Sequence, residues 1–144
     1  MKQEDKELLL KDLSARLPYG VFVQQEFAKH HALLQAIDVY RGCVDIEFAG
    51  FCGKYDRFKI EHIKPYLRPM SSMTGEEKSY IRNTILPKGI DIDNIGDMAT
   101  ENGWTYIPLE SMVDYIAFLV EGHFDYNGLI PKGLALKAKE DMYD

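Results

Sequence analysis

Cysteine is almost absent, with only Cys43 and Cys52 in 144 residues. Two thiols are too few to staple a secreted fold, and no second Cys or His pair stands near them at zinc spacing, so reduced cysteines are expected. Long apolar runs are missing too. The opening "MKQEDKELLL" has three leucines in a row and the longest later run is "YIAFLV", so neither a signal peptide nor a membrane span is expected and a cytoplasmic location is. There is no surplus of cations. The 17 Lys and Arg stand against 23 Asp and Glu, a net charge of -6, which argues against a general nucleic-acid footprint because phosphate binding needs a basic surface.

Catalytic signatures are equally scarce. No serine sits in a nucleophile elbow, and no glycine-rich dinucleotide fingerprint occurs. The four histidines, His30, His31, His62 and His123, show neither the i, i+4 spacing of a metalloprotease helix nor a Cys/His grouping. "GFCGK", residues 50–54, falls two residues short of a phosphate loop and has Tyr55 where a magnesium-binding hydroxyl belongs. Cys52 in that turn reads as inert rather than as an activated thiol. "DIDNIGDMATEN" from Asp91 begins like a calcium loop. It places Ile95 and Asn102 where a ligand and a bidentate glutamate are needed, so it is not read as a calcium site. No cofactor and no metal are expected.

What remains is a globular composition, 46% hydrophobic and 28% charged, at the usual size of one domain spanning residues 1–144. The expected fold is α+β: a small antiparallel sheet of three to five strands on about three helices. Leu9, Leu10, Leu13 and Leu17 mark a first helix, with Glu7–Lys11 and Asp12–Arg16 as i, i+4 pairs on its outer face. "LPYG" ends it.

"LLQAIDVY" and "VDIEF" flank Arg41-Gly42 as a hairpin, with Val39 opposite Val44, Ile37 opposite Ile46 and Asp38 opposite Asp45. Lys59 on a following strand, "RFKIEHI", would lie near Glu47 on the polar face, beside Asp45, so that the acids have local counter-charge. Residues 64–69 are extended. Thr74 and Glu77 form a capping box for a helix to about Ile85, with Tyr80, Ile81, Thr84 and Ile85 inward. "WTYI", residues 104–107, reads as a short strand. The cleanest periodicity is the last helix, where Leu109, Met112, Val113, Ile116, Leu119 and Val120 form one stripe. "LALKAK" is an edge strand.

The densest collection of reactive residue types is "EGHFDYNGLIPKGLA", which holds His123, Asp125, Tyr126 and Asn127 within five residues. Its spacing fits a helix stop better than a reactive site. Gly122 falls at the left-handed C-cap, His123 is placed to favour the helix C-terminus as imidazolium, and "DYNG" makes a type I turn whose Asp125 accepts backbone N–H groups.

Three stretches, "DKELLLKDLSARLPYG", "IKPYLRPMSSMTGEEK" and "HFDYNGLIPKGLA", together resemble an uncharacterised family of short proteins from gut Bacteroidetes and their phages or mobile elements. The resemblance implies one small domain of unknown function, accessory to mobile-element biology. It transfers no activity, cofactor or catalytic residue.

The leading expectation is a non-catalytic cytoplasmic domain acting by protein binding or self-association. The first alternative is a small enzyme with a site at His123, Asp125 and Tyr126. A third is a nucleic-acid binder using the basic segment 54–88, which holds eight Lys/Arg against four Asp/Glu, through Tyr66, Arg68 and Arg82.

Overall fold

The computed structural model describes residues 1–50, 53–87 and 108–144. The calcium-like loop, Cys52 and "WTYI" lie outside the described residues. Three helices, α1 (Gln3–Arg16), α2 (Gly75–Tyr80) and α3 (Leu109–Glu121), accompany six strands: β1 (Phe22–Gln25), β2 (Ala32–Asp38), β3 (Cys43–Phe48), β4 (Asp56–Lys59), β5 (Ile63–Leu67) and β6 (Leu136–Lys137). The α+β class is as expected. The sheet is larger than expected, six strands in the order β4-β3-β2-β1-β5-β6.

It is also mixed rather than antiparallel, because the tail strand β6 runs parallel to β5 through Tyr66–Leu136 and Leu67–Lys137. β5 itself is the extended stretch around Pro65. That proline is tolerated opposite Val23, next to the end of the β1–β5 ladder, where a missing N–H is least disruptive.

The β2–β3 register differs from the expected one. Asp38 faces Cys43, Ile37 faces Val44 and Ala36 faces Asp45, and a bulge at Gln35 then shifts the pairing to Leu34–Ile46. The turn is therefore four residues, closed by the Arg41 N–H donating to Asp38 Oδ1 at 3.0 Å and by Gly42 at φ 65°. Val39 and Tyr40 project to solvent at the tip. The bulge supplies the one-residue offset that strict alternation cannot. The counter-charge is Arg57, not Lys59: its guanidinium bonds Asp45 at 2.8 and 3.1 Å and reaches Asp38 at 3.5 Å, holding the Asp45 carboxyl below the usual range.

One face of the sheet packs on α1. Leu9, Leu10 and Leu13 meet Val21, Val23, Leu34, Val44, Ile46, Ile60, Ile63 and Leu67 in the main core. A second cluster joins α3 to the segment after α2 through Met73, Ile81, Leu86, Tyr115, Leu119 and Phe124. The expected capping box is present, with Glu77 N–H donating to Thr74 Oγ1 and Thr74 N–H to Glu77 Oε1. The helix that it starts turns into a π turn at Ile81–Ile85, so Ile81 goes inward while Thr84 is exposed and Tyr80 is half exposed.

The α3 stripe is corrected as well. Its buried face is Ser111, Tyr115, Leu119 and Val120, whereas Leu109, Val113 and Ile116 stand outside. The aromatic bulk of Tyr115 and Phe118 carries the helix onto Phe124 from the opposite arc.

Candidate functional site

The residues marked by the sequence do come together, but around an arginine from the other end of the chain. Leu9, Asp12, Leu13 and Arg16 occupy i, i+3, i+4 and i+7 of α1, one face. That face is buried, so the Asp12–Arg16 pair expected at the surface is 1% and 0% exposed. Removing a guanidinium from water costs several kcal/mol unless its donors are met. Here Nε and Nη2 bond the two Asp12 oxygens at 2.7 and 3.0 Å, and Nη2 also donates to the Phe124 carbonyl at 2.7 Å. Nη1 has no acceptor among the described residues. The Tyr126 ring, 5.3 Å from Cζ, turns its face to the charge.

Each candidate side chain takes a separate part in this arrangement. Asn127 Nδ2 donates to Asp12 Oδ1 at 2.8 Å. Asp125 accepts from the Leu129 and Ile130 N–H groups at 2.7 and 2.9 Å, just beyond the turn rather than inside it. Residues 123–125 also bond β5's extension, Arg68 N–H to the His123 carbonyl and Asp125 N–H to the Arg68 carbonyl, both at 2.8 Å.

His123, not Gly122, takes the left-handed position after α3, with φ 60° against -80°. A Cβ on Gly122 would meet the Phe124 ring at 2.8 Å. Glycine is needed there for close approach rather than for a positive φ. Nor is His123 an imidazolium. Burial first, then the charges of Arg16 and Arg68, push it down to about 4, so it is neutral at pH 7.

His123 lies flat on Tyr143, with ring centroids 3.7 Å apart. The Tyr143 hydroxyl accepts from Phe22 N–H at 3.0 Å and donates to the Tyr66 carbonyl at 2.7 Å. These two backbone groups end the β1–β5 ladder, so the phenol stands in for its last rung. Burial raises its pKa and keeps it a donor. Beside it, under the tail, is a cleft of about 690 Å³ bordered by Arg68, Glu77, Glu121, His123, Lys139 and Tyr143. His123 Nδ1 is buried without a hydrogen-bond partner among the described residues.

The basic segment is largely neutralised in place. Arg68 forks onto Glu77 at 2.7 and 3.0 Å, holding that carboxyl below its usual range, and Tyr66 is buried. Only Arg82 of the three named residues is exposed. Among the described residues no group of three His, Cys, Asp or Glu is disposed to hold a metal ion, and no helix is long and apolar enough to cross a membrane. The chain matches no protein-family model, no curated protein and no solved structure, so the family resemblance gains no support from outside the chain.

Breaking the arginine pair tests its structural role. Arg16→Met or Asp12→Leu alone strands a buried charge, with an expected loss of about 3–5 kcal/mol in urea unfolding; the double variant loses less than either single one. Additive losses would contradict a buried pair.

The His123 shift predicts a pH dependence. Its folded value lies below the ordinary 6.5, so the unfolded chain binds the proton more readily. The contribution of His123 is complete above about 6.5 and is lost as pH falls towards about 4. His123→Asn, which tolerates the left-handed backbone, flattens that stretch of the stability profile measured by urea midpoints.

Proposed function

We propose that this chain is a non-catalytic binding domain that engages another protein through the outer face of α3. The observation that carries this reading is the row Leu109, Val113 and Ile116, 80%, 59% and 38% exposed, at i, i+4 and i+7 of one helix. Burying such side chains stabilises a complex by about 1.5–3 kcal/mol each. α3 already docks by its opposite arc, so this row is surplus to the core. A contiguous apolar strip rimmed by charges is the usual form of a contact surface.

The rim favours a partner of opposite charge over a second copy. Glu110 and Asp114, both exposed, border one side of the strip on a chain of net charge -6, and like charges repel across a self-contact. The enzyme reading has less to support it. His123, Asp125 and Tyr126 serve Tyr143, two backbone N–H groups and Arg16 respectively, and a histidine at about 4 is a weak base near neutrality.

Light scattering and affinity retention from native lysate check the proposal. The wild type should be monomeric and retain a partner that Val113→Glu/Ile116→Glu, folded as judged by circular dichroism, does not. Identical retention by the variant, or none by the wild type, would remove α3 as the contact surface.

A further inference from the structure

We infer that the groove between the π turn and α3 receives an arginine side chain of the partner protein. This rests on the binding role of α3 and assigns the chemistry it selects. The inference starts from a column of rings. Tyr80 stacks on Phe118 at 5.6 Å and 24°, and Phe118 on Phe124 at 6.3 Å and 19°. At the inner end the Arg68 guanidinium lies 4.2 Å from the Phe124 centroid with Glu77 forked onto it. Arg16 repeats the arrangement with Tyr126 as the ring and Asp12 as the fork. Twice, this fold meets a guanidinium with an aromatic face and a carboxylate.

The outer end of the column has the same parts without the cation. A groove of about 330 Å³ is bordered by Tyr80, Thr84, Asp114, Ala117, Phe118 and Glu121. Among the described residues no Lys or Arg lines it, and neither Asp114 nor Glu121 has an ion pair. Tyr80 is 50% exposed, leaving part of a ring open to stacking. Ala117, between the two acids, is small enough to leave the groove its depth.

The chemistry narrows the occupant. Asp114 and Glu121 are seven residues apart, roughly 10 Å along the helix, too far to share one metal ion. Two carboxylates repel a phosphate or nucleotide. A guanidinium is planar, weakly hydrated and forked, so it can stack on the ring while bonding a carboxylate; an ammonium offers only a point charge. Ala117 at the groove's rim lies i+4 from Val113, so the groove adjoins the apolar row on that side, and an arginine beside an apolar residue would engage both.

The test is an NMR titration of the full chain with a blocked Ala-Arg-Ala peptide and its lysine and citrulline counterparts. The arginine peptide should give saturable shifts at Tyr80, Thr84, Asp114, Phe118 and Glu121, with affinity about tenfold weaker for citrulline and weaker for lysine. Asp114→Asn/Glu121→Gln, both at exposed positions, should remove the preference without unfolding the chain. Equal binding of the three peptides, shifts confined to other surfaces, or no saturable shift at millimolar peptide would overturn the inference. If those results came while retention still depended on Val113 and Ile116, the binding role of α3 would stand and only the arginine groove would fall.

Discussion

A single buried guanidinium joins the two ends of the chain. Arg16 is held by Asp12 one turn away and by the carbonyl of Phe124, 108 residues away. Asn127 closes the ring by returning to Asp12. A buried charge tolerates few geometries, because each lost acceptor leaves a desolvation penalty uncompensated. The segment after α3 is therefore fixed against α1. From it follow the Arg68–Phe124 bridge, the stack of His123 on Tyr143 and the tail strand beside β5.

This constraint also accounts for where function is sought. The His, Asp, Tyr and Asn that resemble a reactive cluster each fill a requirement created by burying the arginine or by ending α3. With those groups engaged inside, the exposed apolar residues of α3 are Leu109, Val113 and Ile116, which neither core cluster includes among the described residues. The π turn contributes by bringing Tyr80 onto Phe118, so the outer end of the aromatic column borders the groove beside α3. π turns recur at such places because one extra residue re-aims a side chain at little cost elsewhere.

Local signals read from the sequence were the most reliable. The Thr74–Glu77 box, the α1 leucines, the stop after α3 and the edge strand at Leu136 all follow from rules acting over a few residues. The failures are long-range. The β2–β3 register turns on a bulge at Gln35 that alternation does not reveal. The left-handed residue is His123 rather than Gly122, whose lack of a Cβ instead admits the Phe124 ring.

Apolar spacing in α3 marks a face without saying whether anything covers it, and Leu109, Val113 and Ile116 stand exposed. The Asp12–Arg16 pair had a readable clue, since it shares the i, i+3, i+4, i+7 pattern with Leu9 and Leu13. Tyr143, the last residue but one, carries no signal in the sequence that its hydroxyl completes a β-ladder.

Residues 123–130 are bolted to α1 through Arg16 and Asp12 rather than forming a loop around a reactive site. Native-state hydrogen exchange measures this directly at the Leu129 and Ile130 amides, both bonded to Asp125. Bolted, they exchange only by global opening, with the same free energy as core amides of β2 and β3. Exchange of these two amides at a much lower opening energy, with the sheet still protected, would contradict it.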